Sequence, residues 1–390
     1  MEFSLSEEQL AFMKSVYNFS KKEIEPLTTE AERKGEFSFE AWKKMADFGL
    51  MALPFPEKYG GSDAGVLTTL IGMESLARGG ADGGTTLAWG AHTILCGVPI
   101  WLMGSDAQRE KYLTKMITGE WIGGFGLTEP EAGSDAAGMK TTAVKKGDKY
   151  ILNGSKMFIT NGPVGHHFVV IAVTDKNAGH FGMSAFIVEK DFKGFSVGKE
   201  LDKLGNRSSS TSELIFEDCE VPEENLLGPL GMGFVGVGKT TLEWERSCLL
   251  AAGLGGMEYA MDVSLKYAQE RKQFGKPIAH FQAMKHKLAD MKVSVEASKL
   301  ILYRVAWLKE QNKNAMLEAS HAKLLMSELG MRLAEEAVQI HGGYGYMKEY
   351  PVERGFRDCK LGTIGAGTSE VQRMVISKML LNLKAKGGKK

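Results

Sequence analysis

Three stretches of this 390-residue sequence combine residue types and spacings that bear on chemistry. The first is Gly124-Phe125-Gly126-Leu127-Thr128-Glu129-Pro130-Glu131-Ala132-Gly133-Ser134-Asp135. Its glycines let a backbone approach a ligand closely, and the Thr128 and Ser134 hydroxyls can bond it. A plain turn has the same composition. The second, Gly233-Phe234-Val235-Gly236-Val237-Gly238-Lys239-Thr240, fits the spacing of a phosphate-cradling P-loop. Such a loop has to leave a buried strand. Here Pro222–Pro229 reads as a loop and a long helix follows, so a glycine-rich helix entrance is the better account. The third, Leu242-Glu243-Trp244-Glu245-Arg246-Ser247, places two carboxylates beside a guanidinium. By residue type alone it is an ordinary Glu–Arg pair on a helix surface. The cysteines Cys96, Cys219, Cys248 and Cys359 are far apart and form no C-x-x-C pair. Neither a metal site nor a disulfide framework is expected.

The elements that must carry these stretches divide the chain into an α+β pattern. Residues 1–119 read as a helical domain. Ser6 and Gln9 fit a capping box, and Leu10, Met13, Tyr17 and Ile24 recur on one helix face. Leu67–Ala77 and Asp106–Met116 read as further helices. Residues 120–228 read as a β domain, a small sandwich or barrel. In it Asn153-Gly154 predicts a hairpin turn between Tyr150–Leu152 and Met157–Thr160, and Asn161-Gly162 a second turn. Phe168–Thr174, Met183–Val188 and Glu213–Phe216 follow as strands. Residues 229–384 return to helix and suit a bundle. Phe281, Met284, Leu288, Met291 and Val295 form an apolar stripe, which serves equally a core or another subunit. Residues 385–390 form a basic tail, expected to be solvated.

Composition excludes some classes. Lys+Arg and Asp+Glu both number 48, so there is no whole-chain basic field for nucleic acid. No uninterrupted apolar run approaches the roughly 18 residues of a membrane span. The acidic start at Met1-Glu2-Phe3 lacks a signal-like apolar segment, so a cytoplasmic setting is expected.

The first stretch resembles the flavin-binding signature of the acyl-coenzyme A dehydrogenases, and the likeness runs from the N-terminal helix to Arg373-Met374-Val375. Family likeness implies that Phe125, Leu127, Thr128, Gly133 and Ser134 line the flavin and the thioester channel. Phe158-Ile159-Thr160 resembles the segment covering one flavin face, with Phe158 in place of the usual Trp. Glu270-Arg271-Lys272-Gln273-Phe274-Gly275 resembles the segment whose Arg reaches the FAD pyrophosphate of a neighbouring subunit, with Phe274 in the same run. Gln282, then Gln339 with Gly342 and Gly343, and finally Thr368, Ser369 and Glu370 match further FAD contacts. The implied cofactor is FAD, the implied assembly a homotetramer, and the implied acceptor electron-transferring flavoprotein.

Many family members carry a glutamate base just before a Gly-Thr-Ser run. That position is Ala366 here. In the isovaleryl-like and long-chain branches the base lies in an earlier helix, and Glu245 matches it. Trp89-Gly90-Ala91-His92 and Ile364–Val371 carry the isovaleryl-like likeness. Arg246 and Glu243 then match coenzyme A-side contacts, and the Ala366 and Gly367 backbone the thioester carbonyl site. The implied reaction is α,β-dehydrogenation of a short-chain, branched or cyclic acyl thioester. The rival readings are an enoyl thioester reductase using the same chemistry backwards, a flavin-binding member without turnover, and a P-loop protein. Trp89 and Gly362 stand where Tyr is expected, which implies a reshaped acyl pocket.

Overall fold

The computed structural model describes residues 4–381, and the basic tail lies outside them. The first helix, Glu7–Phe19, begins with the expected reciprocal cap. Ser6 Oγ accepts from the Gln9 amide at 3.1 Å, and Gln9 Oε1 accepts from the Ser6 amide at 3.0 Å. The Gly65–Arg78 helix is buried along most of its length, with Leu70, Ile71, Met73 and Leu76 fully enclosed. A continuous helical stretch, Gly83–Met103, is long and apolar enough to cross a membrane by composition. It is 72% buried inside the molecule over its apolar window, which is how a core helix behaves.

The middle of the chain forms one hydrogen-bonded sheet of eight strands: β1 (Gly123–Gly126), β2 (Thr142–Lys146), β3 (Lys149–Thr160), β4 (His167–Val173), β5 (Met183–Glu189), β6 (Phe195–Val197), β7 (Thr211–Pro222) and β8 (Leu226–Leu227). The order is β6-β7-β3-β2-β4-β5-β8, with β1 parallel to β4. Period-two alternation divides β4 and β5 between two cores. Phe168, Val170, Phe186 and Val188 pack with Leu214, Phe216 and Val221 inside the sheet domain. Val169, Ile171, Ala185 and Ile187 face the other way, into the core shared with the helices.

The Asn153-Gly154 hairpin is not there. β3 runs unbroken through both residues, with a shift in its register against β7 between Leu152 and Gly154. The hairpin turn lies earlier, where Lys146 pairs with Lys149 around Gly147 (φ +62°) and Asp148. Gly154 serves close approach instead. It sits at φ +137°, and a Cβ there would lie 2.6 Å from Thr141 Oγ1. Asn153 spans to β7, its Nδ2 donating to Asp218 Oδ1 and its Oδ1 accepting from the Asp218 amide. Asn161-Gly162 does turn the chain, with Asn161 at φ +67°.

Three long helices, Leu250–Glu270, Gln282–Glu310 and Met316–His341, make the C-terminal bundle with Pro351–Cys359 and Ser369–Leu380. Along the apolar stripe Met291 and Val295 are buried, while Phe281, Met284 and Leu288 are only partly covered. Leu250–Glu270 packs tightly on Gly65–Arg78 because Gly255 has no side chain; a Cβ there would meet Glu74 O at 2.1 Å. Polar groups reinforce that contact. Lys299 Nζ donates to Glu74 Oε1 at 2.6 Å and to Glu258 Oε1 at 3.3 Å, and Tyr303 Oη donates to Glu74 Oε2 at 2.6 Å.

Gly154→Ala should destabilise the protein by about 1–3 kcal/mol, the usual cost of a side chain in a disallowed backbone region. Thermal and denaturant melting check this, and an unchanged midpoint would contradict the assigned role of Gly154.

Candidate active site

The third stretch lies inside a helical run that begins at Gly233 and ends at Glu270. Within it, Gly233–Gly238 and Glu245–Leu249 are π-helical turns. Gly233–Gly238 is therefore itself helical, and the P-loop reading fails: no loop is present to wrap a phosphate. The second π-turn starts at Glu245. Such insertions change which side chains face inward and recur at functional sites.

Glu245 lines a cavity of about 300 Å³ together with Arg246, Leu249, Lys323, Gly362 and Ala366. Its carboxylate makes no hydrogen bond or ion pair among the described residues. Burial pushes its pKa up to about 7, against the opposing pull of the Arg246 and Lys323 charges. Arg246 is turned to the loop across the cavity, Nη2 donating to Ala366 O at 3.2 Å, and its Nε is buried without a partner. Glu243 does not line the cavity. It pairs with Lys309 at 3.5 Å and Lys239 at 4.0 Å.

The Leu361–Thr368 loop that carries Ala366 is tied at several points. Gly362 O accepts from Lys323 Nζ and from Ser327 Oγ, each at 2.7 Å. Gln372 Nε2 donates to Ala366 O at 3.1 Å and Gly367 O at 3.2 Å, and Thr368 Oγ1 caps the next helix by accepting from the Val371 amide. These ties hold Ala366 at φ +55° and Gly367 at φ +84°, a left-handed pair that costs an alanine about 1–2 kcal/mol. The Ala366 N–H donates to no acceptor among the described residues.

Lys323 was not visible as a site residue in sequence. It is 1% exposed, and burial depresses its pKa to about 8. The signal was its position: it shares a helix face with Ala319, Met326 and Gly330, where an apolar residue is the norm. The far end of the cavity, with Asp82, Asn206, Arg354 and Asp358, also went unread. Asp358 Oδ1 accepts from the Asn206 amide at 2.6 Å, and burial with Asp82 nearby pushes its pKa up to about 7. Trp89 is fully buried in the core and does not line the cavity, so of the two positions expected to reshape the pocket only Gly362 does.

The remaining candidates fall into separate groups. On the sheet domain, Phe158 is 66% exposed at φ +61°, Thr128 and Thr160 are partly buried, and Gly133 and Ser134 are exposed. Phe125 and Leu127 pack against the main core, and the Ile159 side chain is buried within the sheet. None of these lines the cavity of Glu245. In the bundle, Arg271, Gly342 and Gly343 share the wall of a second cavity of about 500 Å³, where Arg271 stacks on Tyr344. Phe274 projects nearby at 92% exposure, and Gln282 and Gln339 are exposed. Ser369 is buried with an unpartnered hydroxyl, and Glu370 is exposed.

The first stretch is anchored by a pair that motif reading passed over. Glu129 and Lys156 are 6% and 0% exposed and meet at 2.7 Å. Lys156 Nζ also donates to Leu127 O, and Glu129 accepts from the Lys140 and Thr141 amides. Although burial works to raise it, the Glu129 pKa is held below the usual carboxylate range by Lys156 and those amides. This stapling turns Leu127–Glu129 toward β3, where the Met157 amide donates to Thr128 O at 2.8 Å.

Three family models match in chain order: acyl-CoA dehydrogenase N-terminal domain over residues 6–120, middle domain over 124–219 and C-terminal domain over 231–381. The chain belongs to the acyl-coenzyme A dehydrogenase family. It is thus a flavin-dependent oxidoreductase of the acyl-CoA dehydrogenase class, with the expected helical, β-sheet and helical arrangement. It is 46% identical to caffeyl-CoA reductase-Etf complex subunit CarC of Acetobacterium woodii, over 96% of this chain and 99% of that one. It is 42% identical to mitochondrial isovaleryl-CoA dehydrogenase of Solanum tuberosum, over 95% of this chain and 90% of that one. The butyryl-CoA dehydrogenase structure from Megasphaera elsdenii superposes with a TM-score of 0.94 at 42% identity, over 98% of this chain and 100% of that one.

Lys156→Met leaves the Glu129 carboxylate buried and unpaired, and should cost about 3–5 kcal/mol. Adding Glu129→Leu should return much of that loss. Denaturant unfolding of the single and double variants checks the pair; equal stability of Lys156→Met and wild type would remove the anchoring role.

Proposed function

We propose that this acyl-CoA dehydrogenase family member removes the α-proton and β-hydride of a short-chain, branched or cyclic acyl-coenzyme A, with Glu245 as the base. The observation that carries this reading is an unpartnered carboxylate on a cavity wall beside a loop whose Ala366 N–H is unused. A thioester α-proton is weakly acidic, so a base has to be aimed at it with no competing bond. Lys323 and Arg246 favour the charged, proton-accepting form of Glu245 without bonding to it. The Ala366 N–H, held in place by the ties on its carbonyl, is a donor for the thioester oxygen as enolate charge develops there. Apolar walls at Leu249 and Leu250 keep water from the base.

FAD is the proposed cofactor, and the residues fit it in two halves. The exposed Phe158 ring with Thr128, Ser134 and Thr160 suits a flat isoalloxazine, and the backbone at Gly342 and Gly343, where a Cβ would meet nothing within 4 Å, leaves Arg271 open to a phosphate. When bound, the flavin supplies a two-electron acceptor for the β-hydrogen. The first half lies on the sheet domain outside both cavities and the second lines the cavity at Arg271, a separation that favours the reading that a second copy of the chain completes each site, in a homotetramer. Electron-transferring flavoprotein is the proposed partner, in keeping with the relative named as part of an Etf complex.

A second reading has the same residues run the reaction from enoyl to saturated thioester. The relative named a caffeyl-CoA reductase subunit favours it. Glu245 then delivers the proton to Cα instead of removing it. Anaerobic titration of the flavin distinguishes the two. Bleaching by saturated thioesters supports dehydrogenation; reoxidation by enoyl thioesters without any bleaching supports the reductase.

Glu245→Gln should keep the fold and the flavin and lower kcat by about 10²–10⁴-fold. Wild-type kcat/KM should fall as pH drops below about 7, where Glu245 becomes protonated in the free enzyme. Lys323→Met removes a positive charge that holds that pKa down, so the acid limb should move to higher pH. Flavin reduction at the wild-type rate by Glu245→Gln would place the base elsewhere.

A further inference from the structure

The Leu250–Glu270 helix contains three glycines in four residues, Gly253, Gly255 and Gly256. Gly255 is explained by packing, because Glu74 O leaves no room for a side chain. Gly253 and Gly256 are different. Both line the cavity that holds Glu245, and a Cβ built on either meets nothing within 4 Å. Gly355, in the Pro351–Cys359 helix, behaves in the same way. Gly330, in the facing Met316–His341 helix, has only Met257 Sδ, at 4.0 Å. None of the four has a positive φ, so backbone geometry does not demand glycine at any of them. Glycine is the poorest helix former after proline, and an alanine would fit at each site. What the glycines have in common is that they give girth to one cavity from three different helices.

The size of the cavity agrees. A dry cavity of about 150 Å³ holds a benzene ring. The cavity here is about 300 Å³, with walls dominated by alanine, glycine, leucine and methionine. A straight four-carbon acyl chain leaves most of it empty, and an unfilled apolar cavity forfeits contacts. Gly253 and Gly256 lie two to three helical turns beyond Glu245, so the broad part is separated from the base by the stretch at Leu249 and Leu250.

We infer that Gly253, Gly256, Gly330 and Gly355 are specificity determinants that open the acyl cavity for a ring carried on a short arm, an arylalkanoyl thioester or its unsaturated counterpart. This rests on the proposed reaction and names its substrate class. The ring occupies the glycine-walled section, and the arm passes Leu249 to bring Cα and Cβ to Glu245 and the Ala366 loop. Both directions of the reaction use the same seat.

The test compares kcat/KM for the coenzyme A thioesters of butanoate, 3-phenylpropanoate, 5-phenylpentanoate and dodecanoate, with the matching enoyl thioesters run against reduced enzyme. One of the phenyl substrates should exceed butanoate by at least about tenfold, the scale on which an apolar pocket discriminates. Gly256→Leu, which fills the broad section, should lower kcat/KM for that phenyl substrate by about 10–100-fold and for butanoate by much less. Gly253→Ala and Gly256→Ala should not lower the melting midpoint, because the added methyl enters open space and favours helix. Preference of the wild type for butanoate or dodecanoate would overturn the inference. So would an equal loss on all substrates in Gly256→Leu, or a melting midpoint several degrees lower in either alanine variant. Each of those results leaves the proposed reaction standing. If no thioester, saturated or unsaturated, exchanges electrons with the flavin, the reaction reading itself fails and the inference with it.

Discussion

A carboxylate on a protein wall is usually consumed by a neighbour: a lysine, an arginine or a helix N-terminus claims it. The candidate site in this chain depends on Glu245 having escaped that fate. Arg246, one residue on, is the obvious partner, but its guanidinium is turned to the loop across the cavity, with Nη2 on Ala366 O. Lys323 is the next, but its Nζ is turned to Gly362 O. Both cations are therefore bound to the opposite loop and act on Glu245 only through space. Burial then works against the charge on Glu245, and the two cations work for it. A pKa of about 7 is the balance of these opposing pulls.

The same two bonds do structural work. By fixing Gly362 and Ala366 they hold a loop with consecutive left-handed residues, and so hold an unused N–H in position. Strain of that kind persists only where the surroundings over-determine it. Further away, the Glu74–Lys299–Tyr303 cluster and the Glu129–Lys156 pair set the frame. The first ties the N-terminal helices to the bundle, and the second ties the Leu127–Glu129 stretch to β3. Buried charges of this type add little net stability, yet removing one partner is costly. The first makes the placement of the N-terminal helices against the bundle hard to change by small steps, and the second does the same for Leu127–Glu129 within the sheet domain.

Glycine use along one helix shows how packing and function separate. Gly255 brings two helices into contact, whereas its neighbours Gly253 and Gly256 face space. A side chain is barred at the first and has room at the others, within a single turn of the same helix.

Local patterns were readable from the chain itself. The Ser6 capping box, the Asn161-Gly162 turn, the strands from Phe168 and Met183, and the Leu67–Ala77 helix follow from short-range sterics and periodicity. The family follows from motifs spread over the whole length. Asn153-Gly154 misled because its sequence fits a hairpin equally well, and only its partners on either side, Thr141 just before β2 and Asp218 on β7, show it lying within the strand. Gly233–Thr240 fits a P-loop by spacing, but the loop before it and the long helix after it already pointed to the helix entrance that is found. Glu245 was found by likeness, but its freedom from partners could not be. That freedom rests on Gly362 and Ala366, more than a hundred residues away, drawing off two cations. Lys323, Glu129 and Lys156 are long polar residues that sequence assigns to the surface. They are buried because a polar partner from elsewhere in the chain meets each one: Gly362 O for Lys323, and Glu129 and Lys156 for one another. Interactions between residues far apart in sequence leave no periodicity behind, so tertiary structure alone decides them.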